Sequence, residues 1–150
     1  MIEDWVNATV KSIKQVAADM GFNHCEASGS AAQLPKGLPG SFVPLVGQGA
    51  NIQIGVMSSR EGHEKLARVV LQCEPDESIE RDDIADAVGE LANCVAGRLK
   101  REMRATDPTL KIGLPVFIDG TVEDVGRAEQ RTLSIVMNGV EVSLLLVVGG

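Results

Sequence analysis

The sequence predicts an α+β fold, a mainly antiparallel sheet packed with long amphipathic helices. Two observations carry this prediction. Helical and strand-like segments come in blocks, namely a helix, strands, two helices and strands, instead of alternating along the chain. An Asn-Gly dipeptide near the C-terminus also predicts a hairpin, which joins antiparallel strands. With 150 residues, of which 44% are hydrophobic, the chain has the size and composition of one domain, residues 1–150.

The N-terminal third predicts one helix followed by strands. Apolar residues recur at steps of three and four over residues 2–20, which indicates an amphipathic helix, and Gly21 is expected to end it. Residues 28–49 are rich in Ser, Gly and Pro, which excludes regular helix over most of this stretch. We expect a long connection there, with short strand pieces near residues 24–27 and 41–45.

The middle of the chain predicts one strand and two helices. Residues 51–56 alternate polar and apolar side chains, as a strand with one buried face does. Ser58 or Ser59 can cap the second helix, because a serine hydroxyl accepts a hydrogen bond from a free amide of the first turn. A third helix is expected from about residue 80 to residue 104, and its acidic start and basic end suit the helix dipole.

The C-terminal third predicts strands. Residues 110–119 and 132–137 are strand candidates, and Asn138-Gly139 turns the chain back into a strand over residues 140–148. Asn-Gly favours this turn because both central residues of a type I′ hairpin have positive φ.

Charge and cysteine content exclude several classes of protein. Fourteen Lys and Arg against 21 Asp and Glu give a net charge of -7, which repels a phosphate backbone, so nucleic acid is not expected as a ligand. Three cysteines, an odd number without a C-x-x-C pair, favour reduced thiols. No segment is apolar for 18 consecutive residues, and Glu3 and Asp4 stand where a signal peptide would carry positive charge. We therefore expect a cytoplasmic protein that does not contact a membrane.

Common motifs for cofactors and metals are incomplete in this chain. The Gly-Gln-Gly at residues 47–49 lacks the third glycine of a dinucleotide loop and precedes a strand instead of a helix. The residues His24, Cys25, His63 and Cys73 have none of the recognised ligand spacings. Solvent is the ordinary neighbour of His63 in the first turn of the second helix, and we expect a satisfied surface or core histidine there instead of a metal ligand. No G-x-S-x-G motif supports serine hydrolase chemistry.

The third helix carries the best candidate for a functional site. Its apolar residues form one stripe at 100° per residue, and the opposite face carries Asp86, Glu90, Asn93 and Gly97. Asn and Gly each cost about 0.5 to 1 kcal/mol relative to Ala inside a helix, and on a face turned away from the core they are expected to gain nothing by packing. Glu90 and Asn93 present a carboxylate beside a carboxamide, and Gly97 leaves the backbone open to a partner.

The alternative for this face is a solvated polar surface. A Glu-x-x-Asn spacing arises by chance about 0.4 times in a chain of this composition, so the spacing alone is weak evidence.

The third helix also resembles a known family. Over residues 86–97, DAVGELANCVAG, it is similar to the signature helix of the CheC/CheX/FliY family of bacterial chemotaxis phosphatases. The resemblance extends to the N-terminal helix, the strand near residue 51, the shorter second helix, the Leu114-Pro115 segment and the closing hairpin. CheC-like members carry two such helices and this chain carries one, so a CheX-like domain is expected.

The resemblance implies a function and a set of site residues. It implies removal of the phosphoryl group from the aspartyl phosphate of a CheY-like response regulator, with Asn93 orienting the attacking water and Glu90 pairing with a lysine of the regulator. Asp86 matches the first position of the family motif and is expected, with Gly97, to contact the partner. The Mg²⁺ belongs to the phosphorylated receiver domain, so this chain is expected to bind no metal or cofactor.

Two questions about partners stay open at this point. The alternative function is a non-catalytic CheX-like adaptor or scaffold that docks on a receiver domain, which would not need the Glu90 and Asn93 pair. A homodimer is expected, because of the resemblance and because the strand at 140–148 is apolar on both faces in its second half. A second copy could continue the sheet there, or helices of the same monomer could cover both faces.

Overall fold

The computed structural model describes residues 2–31, 37–119 and 129–149. It contains three helices, α1 (Ile2–Met20), α2 (Arg60–Val70) and α3 (Arg81–Glu102). The strands are β1 (Cys25–Ala31), β2 (Gly40–Val46), β3 (Asn51–Met57), β4 (Lys111–Ile112), β5 (Val116–Ile118), β6 (Glu129–Met137) and β7 (Val140–Gly149). The block order predicted from the sequence is confirmed, whereas β1 and β2 are longer than the short pieces expected. Residues 32–36 of the Gly and Pro-rich stretch lie outside the described residues.

The seven strands form one antiparallel sheet, which confirms the α+β prediction. Its order is β1-β6-β7-β3-β2, and the short strands β4 and β5 both pair with the outer edge of β2. The main hydrophobic core lies between this sheet and the three helices, with α3 packed against β2 and β3 and flanked by α1 and α2. None of the helices in the described ranges is long and apolar enough to cross a membrane.

Local signals fixed several element boundaries as predicted. Gly21 follows α1 with a φ of +95°, a conformation that glycine adopts without strain. Ser59 is the residue that caps α2, and its hydroxyl accepts a hydrogen bond from the Gly62 amide at 3.0 Å. Asn138 and Gly139 have φ values of 50° and 78°, as the type I′ hairpin between β6 and β7 requires.

The single strand predicted over residues 110–119 is wrong, because the chain leaves the sheet at residues 113–115. Within β2 the carbonyl of Pro44 accepts a hydrogen bond from the Gly113 amide at 2.9 Å. In an antiparallel strand the N–H and C=O of one residue point to the same side, so the N–H that proline lacks would have faced this neighbour. The missing donor explains why the partner strand is divided into β4 and β5 at this point.

The strand β7 lies in the middle of the sheet and not at an edge. It pairs in register with β3 on one side and β6 on the other. Leu144 and Leu146 face the core under the helices, whereas Leu145 and Val147 face a second cluster with Phe42. The expectation that β7 needs a strand from a second copy is therefore wrong, because the same chain covers it. The homodimer itself stays a prediction.

Candidate functional site

Helix α3 separates a buried apolar stripe from a polar face, as predicted. Six of its apolar residues are fully buried, namely Val88, Leu91, Ala92, Val95, Ala96 and Leu99. On the other face Asp86 and Glu90 are exposed, whereas Asn93 and Gly97 are half-buried. Since these four positions are spaced by three or four residues, one face of the helix brings them together.

The carboxylate of Glu90 accepts a hydrogen bond from a neighbour on the same helix. The thiol of Cys94, one helical turn later, donates a hydrogen bond to Glu90 Oε1 at 3.4 Å. Burial, together with the hydrogen bond and charge of Glu90, raises the pKa of Cys94 to about 11. The thiol therefore stays protonated at neutral pH and keeps its proton for this bond. The rest of the carboxylate is open to solvent and to a cationic partner.

The Asn93 side chain makes no hydrogen bond to the parts of the chain that the structure describes. A carboxamide carries two N–H donors and an acceptor oxygen, so it can hold a water molecule from both sides without adding charge.

The helix face that carries Asn93 packs against another segment of the chain. The expectation that its residues gain nothing by packing is therefore wrong. A Cβ built on Gly89 would lie 3.7 Å from Pro115 Cβ, and one built on Gly97 would lie 3.6 Å from Ile112 Cδ1. The segment from β4 to β5 therefore runs beside the helix, which explains why Asn93 and Gly97 are half-buried. Gly97 remains partly accessible, so its predicted contact with a partner stays a prediction.

His63 is a core histidine, although solvent is the ordinary neighbour of its position in the first turn of a helix. Only 3% of the residue is exposed, and its ring meets Phe117 of β5 edge-on with the ring centroids 5.8 Å apart. Its Nδ1 is 3.0 Å from the Ser59 carbonyl, and burial lowers its pKa. A signal for this was present in the sequence, because His63 lies three and four residues before the buried Leu66 and Ala67 and so shares their stripe.

A group of charged residues that the sequence did not predict lies near the start of α3. Asp119, just after β5, accepts from Arg60 of α2 at 3.0 Å and from Arg81 of α3 at 2.7 Å. These residues border a cavity of about 540 Å³, which His63 and Phe117 also line. The ion pairs tie the end of β5 to both helices. Their partners are 38 and 59 residues apart in the chain, so no local pattern could indicate them.

Metal-binding side chains do not cluster in the parts of the chain that the structure describes. No group of three or more His, Cys, Asp or Glu residues there has the arrangement of a metal site. The considered ligand set of His24, Cys25, His63 and Cys73 is not brought together.

Comparison with known proteins identifies the family and the fold. The model of the chemotaxis phosphatase CheX family matches residues 40–137, which is more than half of the chain and includes all of α3. The chain belongs to the CheX family. No curated protein sequence matches it.

Solved structures of the family share this fold at low sequence identity. A CheC-like superfamily protein from Shewanella sp. PV-4 has a TM-score of 0.81 at 18% identity, with 98% of each chain covered. The chemotaxis protein CheX from Vibrio vulnificus has a TM-score of 0.80 at 15% identity, covering 97% of this chain and 99% of its own. A CheX-CheY-BeF3-Mg complex from Borrelia burgdorferi has a TM-score of 0.77 at 17% identity, covering 97% of this chain and 98% of that one.

Proposed function

We propose that this protein accelerates hydrolysis of the aspartyl phosphate on a CheY-like receiver domain, and so ends the signal of that response regulator. The observation that carries the proposal is the pair on α3: an exposed carboxylate at Glu90 beside the Asn93 carboxamide, which makes no hydrogen bond among the described residues. Membership of a chemotaxis phosphatase family supports it. A CheX of this fold in complex with CheY supports the choice of partner.

Asn93 is the residue proposed to orient the attacking water. Its carboxamide would hold the water in line with the phosphorus, which lowers the entropic cost of the attack. The water oxygen bonds to phosphorus while the bond from phosphorus to the aspartyl oxygen breaks, and inorganic phosphate and the free aspartate result. A neutral amide suits this task because a carboxylate would repel the phosphoryl group. The Mg²⁺ would come with the receiver and not from this chain.

Glu90 is proposed to position the receiver. Its exposed carboxylate can pair with a lysine beside the phosphorylated aspartate, and the Cys94 thiol restrains the carboxylate from its other side. Asp86, one turn earlier on the same face, adds a second negative charge toward the partner. Gly97, one turn beyond Asn93, would allow the partner's backbone or side chains to approach the helix closely.

The test is the decay of a phosphorylated receiver with and without the protein. Receivers of the same organism are charged with acetyl phosphate, and the rate is measured over a range of receiver concentrations. Asn93→Ala should slow the saturated rate about 100-fold, which corresponds to about 2.7 kcal/mol of lost transition-state stabilisation. Glu90→Ala should mainly raise the receiver concentration needed for half-saturation, and saturating receiver should restore most of the rate.

Asn7→Ala is a matched control, because Asn7 is exposed on α1 and the same side-chain atoms are removed away from the site. An Asn93→Ala variant as active as the control on the receiver that the wild type dephosphorylates would refute the catalytic assignment.

The alternative function is a non-catalytic adaptor that docks on a receiver. It differs in one measurable outcome, since an adaptor would bind the charged receiver without shortening the lifetime of its phosphate. The Asn93 carboxamide, which has no hydrogen-bond partner in the described part of the chain, favours the phosphatase, because docking alone does not need a group that holds water. The homodimer and the cytoplasmic location expected from the sequence also remain predictions.

A further inference from the structure

The segment from β4 to β5 exposes an unusual amount of apolar side chain. Of seven large hydrophobic residues exposed in the described ranges, five lie in this segment: Ile112 (37%), Leu114 (83%), Val116 (56%), Phe117 (40%) and Ile118 (37%). Val116 pairs with Phe42 and Ile118 pairs with Gly40, so these two side chains lie on the face of the sheet away from α3. We call the other three residues, Ile112, Leu114 and Phe117, the apolar patch. Single exposed hydrophobic residues are ordinary, but a contiguous group on a folded domain indicates an interaction surface.

The apolar patch lies directly beside the Asn93 face. Gly89, Asn93 and Gly97 follow one another at steps of four residues, so they form one line along α3. Pro115 lies over the first position of this line and Ile112 over the last. The line spans about 12 Å at 1.5 Å per residue. The three steps from Ile112 to Pro115 span about 10 Å of extended chain. Leu114, which lies between Ile112 and Pro115, is therefore beside the part of α3 that contains Asn93.

The backbone of this segment is fixed at both ends. Gly113 donates to the Pro44 carbonyl at 2.9 Å, and its Cα lies so close that an added Cβ would be 2.5 Å from Pro44 Cγ. At the other end the carboxylate of Asp119 pairs with Arg60 and Arg81. Because the backbone is held in this way, little conformational entropy is lost when a partner covers the exposed side chains.

The form of the segment favours docking by side chains over addition of a partner strand. The strands β4 and β5 have two and three residues, and Pro115 between them has no N–H to donate. A partner strand would find an interrupted row of hydrogen-bonding groups, whereas the Leu114 side chain offers apolar area.

We infer that the apolar patch is the apolar part of the surface that binds the phosphorylated receiver, with Leu114 packing on an apolar region beside the receiver's phosphorylated site. The inference rests on the proposed function for the choice of partner. It is supported by the continuity of the patch with Glu90 and Asn93, which places an apolar area next to a polar catalytic pair. Such a combination is typical of specific protein interfaces.

The inference is tested with Leu114→Ser, which removes apolar area at the most exposed position of the patch. Calorimetric binding of a receiver charged with beryllofluoride and Mg²⁺ should weaken about tenfold, whereas the hydrolysis rate at saturating receiver should not change. Leu114→Met, which keeps an apolar side chain, should bind as the wild type does. Leu71→Ser is the matched control, because Leu71 is 44% exposed at the end of α2 and lies outside the patch.

The outcomes separate this inference from the proposed function. Weaker binding of Leu114→Ser alone supports the inference even if no hydrolysis is seen, in which case only the phosphatase assignment fails. Equal binding by Leu114→Ser and the wild type overturns the inference and leaves the phosphatase assignment intact. Failure of the wild type to bind any charged receiver overturns it as well. A wild-type dimer that becomes a monomer in Leu114→Ser, seen by light scattering, would assign the patch to a second copy and overturn it.

Discussion

Replacing Gly97 by alanine should stabilise the protein and weaken its docking at the same time. Glycine inside a helix costs about 0.8 to 1.0 kcal/mol relative to alanine. The added Cβ would lie 3.6 Å from Ile112 Cδ1, an ordinary van der Waals distance, so no steric cost offsets this gain. Gly97→Ala should therefore raise the free energy of unfolding by about 1 kcal/mol, and the melting temperature of a domain of this size by about 2 to 4 °C.

Gly89→Ala is the matched control for the effect on docking. Gly89 is in the same helix, but it is buried, and its added Cβ would lie 3.7 Å from Pro115. We expect the same gain in stability from both variants. Only Gly97→Ala should raise the receiver concentration for half-saturation, by about fivefold or about 1 kcal/mol, because only Gly97 is accessible to the partner.

Two measurements check this reasoning: thermal unfolding followed by circular dichroism, and the rate of receiver dephosphorylation against receiver concentration. A Gly97→Ala protein that melts below the wild type would show that the helix and the apolar patch cannot accommodate the methyl group. Equal half-saturation for the two alanine variants would remove Gly97 from the docking surface.

Two further predictions concern stability. Gly55→Ala should destabilise the protein by about 1 to 3 kcal/mol in urea unfolding, because the new Cβ would be 2.5 Å from the Phe42 ring; a wild-type midpoint would contradict this. Burial lowers the pKa of His63 below 6.5, so the unfolded chain binds its proton first as pH falls, and stability should decrease from pH 6.5 down to the lower folded pKa. His63→Phe should reduce this decrease in stability. The check is to measure the free energy of unfolding of the wild type and of His63→Phe at pH 7.5 and at pH 5. If both proteins lose the same stability between the two pH values, His63 is not the source of the loss.

The arrangement of the candidate site was predictable to a large extent because its residues share one helix. Glu90 and Asn93 are three residues apart, so periodicity alone places them on one face, opposite the buried Leu91 and Val95. The half-burial of Asn93 was not predictable. It depends on a segment more than 15 residues further along the chain, and that segment reaches the helix only because β4 and β5 pair with β2.

Short-range chemistry in the sequence determined the helices, their ends and the closing hairpin. Apolar periodicity placed α1, and Gly21, Ser59 and Asn138-Gly139 act through their own backbone and nearest neighbours. The tertiary structure decided which strands are central, where the outer strand breaks and what surrounds the site. It placed β7 inside the sheet and the missing N–H of Pro44 opposite Gly113. These features depend on pairing between residues far apart in the chain, and no local pattern encodes which distant partner a strand will meet.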